Sequence, residues 1–294
     1  MEIDKTILGI LDGKALYSPK GAALEYAAVG CNFYKGCPHS CEYCYLKRGV
    51  LSHSLGGTEV KLKACFKDEI HAMKVFVKEL EANIDYIRQS GVFFSFTTDP
   101  MVEETRALTL SAVMECLAHD VTVKILTKDS SFLYDKKFVG FANGLNETMR
   151  KKVAFGFTLT GRDDMEPYAS PNGSRIGTMR YLHQMGFKTF ASIEPIIDFD
   201  SSFRMIQESA LFCDHFKIGL RSGVKADYYN PDECAFFIGR VTGLCEKSNF
   251  TVYWKESMHR YVQNHMAMDD FEVALSCSKK FVDMDYDIFK EGSV

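Results

Sequence analysis

The decapeptide Gly36-Cys37-Pro38-His39-Ser40-Cys41-Glu42-Tyr43-Cys44-Tyr45 carries three thiols spaced C-x3-C-x2-C. It follows a small-residue and apolar run, Ala27, Ala28 and Val29, that reads as part of a first strand. Three thiols on one short loop can bind one metal centre. A tetrahedral structural zinc takes four protein ligands, whereas a cubane iron–sulfur cluster held by three thiolates keeps one iron open for a small ligand. The residues alone leave two other readings open. One is a zinc knuckle with His39 or Cys31 as fourth ligand; the other is a set of unrelated buried cysteines, against which the polar neighbours of Cys41 and Cys44 argue.

Outward from this loop the chain alternates strand and helix patterns. Residues 24–33 read as a strand that delivers the loop to a strand's C-terminal end, where α/β folds place their chemistry. Residues 1–24 form an entry segment, and the polar, glycine-containing stretch 50–62 reads as an irregular excursion over the site. Apolar residues at Ile70, Met73, Val77, Leu80, Ile84 and Ile87 keep a helical period from 66 to 90, and Gly91 ends it. A β-branched and aromatic run closed by Asp99-Pro100 is strand two. A helix at 105–119, a third strand at 121–126 and a fourth at 152–159 follow, then a helix at 173–186 with Gly186 as its cap. Strand five is 189–193, with Glu194-Pro195 as its polar lip. A helix at 201–213 and strand six at 215–220 come next. Asn230, Pro231, Asp232 and Glu233 supply the cap, first-turn proline and first-turn acids of another helix. Residues 250–254 read as a last strand, and 257–294 as helix and then tail. At least six β/α units in succession imply a parallel sheet with right-handed crossovers, closed partly or wholly into a barrel. No internal repeat or low-complexity linker interrupts them.

Composition bounds the class. With 294 residues, 46% of them hydrophobic, the chain can bury a full core in a single domain, 1–294, divided into the entry segment 1–24, the barrel 25–256 and a C-terminal helix and tail 257–294. Ten irregularly spaced cysteines without a signal-peptide pattern fit a reducing cytoplasm rather than a disulfide framework. No apolar run approaches the ~18 residues of a membrane span. Lys plus Arg is 35 against 39 Asp plus Glu, so the net charge is −4, which disfavours an extended nucleic acid as substrate. A basic face at Lys61, Lys63 and Lys67 reads as a solvated surface.

The C-x3-C-x-aromatic-C pattern resembles the signature of the radical S-adenosylmethionine superfamily. That resemblance implies a partial (β/α)6 barrel of the radical SAM type, with Cys37, Cys41 and Cys44 holding a [4Fe-4S] cluster whose open iron chelates S-adenosyl-L-methionine. Tyr43 would flank the adenine. Reduction would cleave the cofactor to methionine and a 5′-deoxyadenosyl radical, with the electron coming from a flavodoxin- or ferredoxin-type partner. Ser/Thr-Asp after strand two, Thr127-Lys128 after strand three and Ile193-Glu194-Pro195-Ile196-Ile197 after strand five look like the spore photoproduct lyase branch. On that resemblance Ser95, Thr97, Thr98 and Asp99 bind the cofactor's amino group, Lys128 its carboxylate, and Thr158 or Arg175 its ribose or carboxylate. Alternatively, Thr98 and Asp99 merely cap the next helix and Lys128 is a solvated loop lysine. The pattern departs from the lyase at Phe96, where that branch carries a hydrogen-donor cysteine; Tyr253 or Cys245 could replace it, though core packing suits both.

A lone carboxylate at Glu194, between apolar neighbours, should face the barrel interior and needs a partner. Glu194, with Asp198, is a candidate for hydrogen-bonding a cationic or amidine-like substrate edge, and Asp99 and Glu194 are the candidate catalytic carboxylates. The alternative partner for Glu194 is Arg221 or Lys217. Trp254 with Lys255 and Glu256 offers an aromatic platform and a second carboxylate, and Phe33, Tyr34 and Tyr45 could stack on a flat ring. These features favour a small planar, nitrogen-rich, nucleobase-like substrate and lyase-type bond cleavage, as in the queuine lyases of queuosine salvage. Repair or modification of DNA or RNA, and a non-catalytic redox-sensing or zinc protein, are the rival readings. Replacing Cys37, Cys41 or Cys44 by Ala should each abolish cluster binding, measured as iron per chain after anaerobic reconstitution, while Cys65→Ala and Cys277→Ala should leave it intact.

Overall fold

A computed structural model describes residues 11–49, 52–225, 227–265, 275–276 and 278–290. Cys277 and the first part of the entry segment lie outside the described residues. The chain packs as two compact units, one comprising residues up to 38, 46–126 and 131–153, the other 39–45, 127–130 and 154 onward.

The first unit contains β1 (Leu16–Tyr17), β2 (Gly30–Cys31), β3 (Tyr34–Lys35), α1 (Ser52–Leu55), β4 (Lys61–Leu62), α2 (Glu69–Ala82), α3 (Ile84–Ser90), β5 (Val92–Phe94), α4 (Glu103–Ala118), β6 (Val123–Thr127), α5 (Lys136–Gly144) and α6 (Glu147–Arg150). Strand order is β1-β2-β5-β6. The first pair is antiparallel, and β2, β5 and β6 run parallel. The strand expected over 24–33 reduces to Gly30–Cys31, because its partner β5 offers only three residues to pair with. The helix expected over 66–90 is two helices. Asp68 caps α2 by accepting from the His71 amide at 2.7 Å, Ala72, Phe76 and Leu80 bury one stripe of it, and Asn83 leaves helical geometry before α3 begins. The apolar period runs through this break, which is why the sequence shows a single helix. Helices α5 and α6 went unread, although Asp135 caps α5 and Phe138, Phe141 and Ala142 are its buried face.

The second unit contains β7 (Val153–Thr158), α7 (Asn172–Gln184), β8 (Lys188–Ile196), α8 (Phe199–Ser209), β9 (His215–Leu220), α9 (Pro231–Cys245), β10 (Thr251–Trp254) and α10 (Glu256–His265). Its strands lie in the order β7-β8-β9-β10, all parallel. They are buried on both faces, as β/α crossovers require. Strand β8 extends through Glu194 and Pro195, with a register shift between Ile193 and Ile196, so Glu194 lies inside the strand rather than on a lip beyond it. Asn230 Oδ1 caps α9 at the Asp232 and Glu233 amides, with Pro231 in the first turn. The α/β class, the mostly parallel strands and the outer helices are thus those the alternation implied. No helix among the described residues is long and apolar enough to cross a membrane.

Antiparallel β3 and β4 set the start of the cysteine loop. Their pairing brings residues 57–59 against Gly36, whose φ is +81°, and the Cys37 amide donates to Gly57 O at 2.9 Å. A Cβ on Gly36 would lie 2.1 Å from Glu59 O. Gly36→Ala should therefore cost about 1–2 kcal/mol for the left-handed conformation alone, with the clash adding to it. A lowered urea midpoint checks this.

Candidate functional site

Of the loop's cysteines, Cys37 belongs to the first unit and Cys41 and Cys44 to the second. Cys41 is buried, Cys37 and Cys44 are partly open, and all three thiols are free of disulfides. In the second unit Cys41, Tyr43 and Ile197 form an apolar cluster against which Cys44 and Met165 pack. Burial pushes the Cys41 thiol up, and the Lys128 ammonium opposes that rise. Among the described residues no three His, Cys, Asp or Glu side chains converge on a metal-binding point. The donor set itself, three unbridged thiols on one short loop, suits thiolate ligation of iron. The proposed fourth zinc ligands are otherwise engaged: His39 is buried with Nδ1 3.1 Å from Tyr168 O, and Cys31 is fully buried in β2, where burial holds its thiol well above the usual range.

Tyr43 is tied down. Its hydroxyl donates to Glu166 Oε1, and burial followed by the Glu166 charge raises the phenol well above its ordinary value, so it remains a donor. Glu166 is in turn paired with Arg175, Nη2 to Oε2 2.7 Å, and both side chains are 0% exposed. That nitrogen meets the carboxylate as an ion pair rather than along a hydrogen-bond axis. The other guanidinium nitrogens are satisfied by Ser170 O at 2.7 Å and Thr158 O at 2.8 Å. Arg175 and the Thr158 carbonyl are thereby committed to each other. Lys128 Nζ lies 5.5 Å from the Tyr43 ring centroid, within cation–π range.

After β5 the chain turns through Ser95–Asp99 in the first unit. Ser95 Oγ donates to Thr98 O at 2.7 Å and Thr97 Oγ1 to Tyr34 O at 2.6 Å. Each hydroxyl has committed its proton, which leaves its lone pairs as acceptors, the form an ammonium group needs. Asp99 Oδ1 accepts from the Met101 amide at 2.9 Å. Thr98 Oγ1 is buried without a hydrogen-bond partner. A cavity of about 10 Å³, room for about one water, is lined by Ser95 and Thr98 together with Cys31, Phe94 and Thr105. Phe33 and Tyr34 also line it. Both are buried, Phe33 packing on Phe76 at 5.6 Å and the Tyr34 hydroxyl donating to Glu69 at 2.6 Å. Phe96 stacks on Phe93 at 4.5 Å.

In the second unit Glu194 pairs with Lys255, Nζ to Oε2 2.5 Å. Ser192, Lys217 and Tyr253 make one cross-strand row, and Glu194 and Lys255 meet beyond it, over Gly219. Gly219, whose Cβ would fall 3.1 Å from Glu194 Oε1, lets the pair close across β9. Lys217 lies 4.8 Å from the Tyr253 ring. The Lys255 side chain is 1% exposed and that of Glu194 24%, so the carboxylate is the open end of the pair. Trp254 is a core side chain, not a rim platform; it points to the other face, edge-on to Phe237 and Phe281. Asp198 caps α8 at the Ser201 amide, 2.7 Å, and pairs with Arg162. Tyr45 is half exposed. Cys245 is buried, with Sγ 3.6 Å from Phe250 O. Lys61 pairs with Glu59, and Lys63 donates to Lys14 O.

Sequence reasoning missed Glu166 and the pairing role of Lys255. Glu166 sits in an aperiodic loop between β7 and α7, where no pattern marks it. Lys255 carried a usable signal, a lysine directly after an apolar strand.

These features define a mostly parallel α/β protein in which several candidate polar side chains of each unit lie on or just after its strands. No family model matches the chain. Streptococcus suis SuiB bound to S-adenosylmethionine shares the architecture with a TM-score of 0.54 at 12% identity, over 85% of this chain and 55% of that one. A spore photoproduct lyase mutant with bound AdoMet and dinucleoside spore photoproduct gives a TM-score of 0.54 at 16% identity, over 82% of this chain and 66% of the other. The chain therefore has the fold of proteins crystallised with S-adenosylmethionine, and spans between about half and two thirds of their length. An uncharacterized protein of Methanocaldococcus jannaschii is 26% identical over 174 residues, 56% of this chain and 59% of that protein.

The buried Thr98 hydroxyl separates a binding role from a packing one. Thr98→Val removes an unpartnered polar atom, so the apo protein should be as stable or up to about 1 kcal/mol more stable. A fall in S-adenosylmethionine binding, read by equilibrium dialysis, would mark a binding role for this hydroxyl, and unchanged binding a packing one.

Proposed function

We propose that the protein is a radical S-adenosylmethionine enzyme that acts on a small nucleobase-like substrate by lyase-type bond cleavage, with queuine as the best candidate. The observation that carries this reading is three thiols on one loop, none in a disulfide, in the fold that SuiB and spore photoproduct lyase present with S-adenosylmethionine bound. Cys37, Cys41 and Cys44 would hold a [4Fe-4S] cluster. When bound, the cluster and S-adenosylmethionine supply reductive cleavage of a carbon–sulfur bond and, from it, hydrogen-atom abstraction.

The chain's own residues bind, orient and exclude water. Tyr43, its hydroxyl fixed on Glu166, offers an immobile ring edge to the adenine. Ser95 and Thr97 accept from the cofactor's ammonium with lone pairs left by their committed protons, Asp99 adds negative charge, and Lys128 answers the carboxylate. Arg175 and Thr158 act from behind, as supports of Glu166, rather than as direct cofactor contacts. Glu194, paired with Lys255 and 24% exposed, accepts N–H donors from an amidine-like edge of the substrate. Asp198 and Tyr45 are the outer substrate contacts. A flavodoxin- or ferredoxin-type donor in the cytoplasm supplies the electron, and the whole chain works as one functional domain.

The spore photoproduct lyase structure, which holds a dinucleoside, favours a second reading in which the substrate is a nucleic-acid lesion. One assay decides between them. Reconstituted protein is given dithionite and S-adenosylmethionine, with queuine, other free bases or a thymine-photoproduct dinucleoside, and 5′-deoxyadenosine is measured. Queuine should raise it well above background and the dinucleoside should not; Glu194→Gln should lower the queuine-dependent rate on the order of tenfold, the weight of a charge-assisted hydrogen bond. No rise with queuine would remove it as the substrate.

A further inference from the structure

The loop between β7 and α7 receives the cysteine loop at three successive points. Met165 O accepts from the Glu42 amide at 3.0 Å, Glu166 Oε1 accepts from the Tyr43 hydroxyl, and Tyr168 O lies 3.1 Å from His39 Nδ1. The Met165 side chain also packs into the cluster of Cys41, Tyr43, Cys44 and Ile197. The middle point is the charged one. Besides Arg175, the Glu166 carboxylate takes the Thr160 hydroxyl at 3.2 Å and the Asn172 amide at 3.4 Å, so it is held both from the end of β7 and from the first turn of α7.

A buried ion pair is a poor way to gain stability, because desolvation offsets most of the attraction and apolar side chains of similar size would do as well. What a fixed carboxylate adds is direction. It accepts at one place, and the donor belongs to the residue next to Cys44 and two after Cys41. We propose that Glu166 is a positioning residue of the cysteine loop: locked by Arg175, it holds the Tyr43 hydroxyl and so orders Cys41 and Cys44 before the cluster binds. The proposal rests on the iron–sulfur reading above. Ordering ligands in advance removes the entropic cost of arranging them at the moment of binding, so retention of the cluster depends on a bond that no ligand makes.

The test uses the full chain, reconstituted anaerobically with iron and sulfide, as wild type, Tyr43→Phe, Glu166→Gln and the double variant. Iron per chain, the rate of iron loss to a chelator, the EPR signal of the reduced cluster and the melting temperature of the apo protein are read for each. Tyr43→Phe keeps the ring but strands a buried carboxylate oxygen, so apo melting should fall by a few degrees while iron is lost on the order of tenfold faster with an altered EPR line shape. The double variant should lose iron no faster than the faster single variant, because both substitutions remove one bond. Loss from Tyr43→Phe within about twofold of wild type, or rates that multiply in the double variant, overturns the proposal. If Glu166→Gln does not fold, the Tyr43→Phe loss rate decides alone. A wild type that takes up no iron overturns the iron–sulfur reading and this proposal together, whereas normal wild-type uptake with an unaffected Tyr43→Phe overturns this proposal only.

Discussion

A carboxylate and a guanidinium taken wholly out of water must neutralise each other in place, and the Glu166–Arg175 pair is that constraint in this protein. Removing one partner of such a pair costs about 3–5 kcal/mol, since the remaining charge is stranded. The pair therefore dictates its surroundings. Ser170 and Thr158 turn their carbonyls to the guanidinium, Thr160 and Asn172 turn hydroxyl and amide to one carboxylate oxygen, and the other oxygen accepts from Tyr43. A loop of thiols, with little apolar area of its own, is held by this network and by the small cluster around Ile197 and Met165.

The same rule operates a few strands away with a different result. Lys255 is as deeply buried as Arg175, but its partner Glu194 stays partly open. A closed pair can only support; a half-open pair can bind. Glu166 and Glu194 are both glutamates of the second unit, and what separates their roles is how much of each carboxylate faces solvent. At the turn after β5, hydroxyls replace charges, and their protons are spent on backbone carbonyls so that acceptors remain.

Much of the fold could be read from residue order. The strand at 215–220, the Asn230-Pro231 helix start and the fourth strand need nothing beyond local pattern, because each is a long, uninterrupted period with its own stop signal. Reading failed where pairing or packing overrides pattern. The strand over 24–33 shrank for lack of a partner, the helix over 66–90 broke at Asn83 without losing its period, and β8 ran on through Glu194 and Pro195. Candidate site residues divide in the same way. The cysteine spacing stands out in the sequence because it is local, whereas Trp254, read as a rim aromatic, is core, since strand alternation sends it to the face opposite Lys255 and Tyr253.

By itself the sequence determined the α/β class, the order of its β/α units and the three-thiol loop, because periodicity and spacing are properties of neighbours along the chain. Which acid serves which base was decided only in three dimensions. Glu166 lies well over a hundred residues from Tyr43, and Glu194 sixty-one from Lys255. No local pattern encodes such pairs: strand register and the cost of burying an unpaired charge select them once the chain has folded.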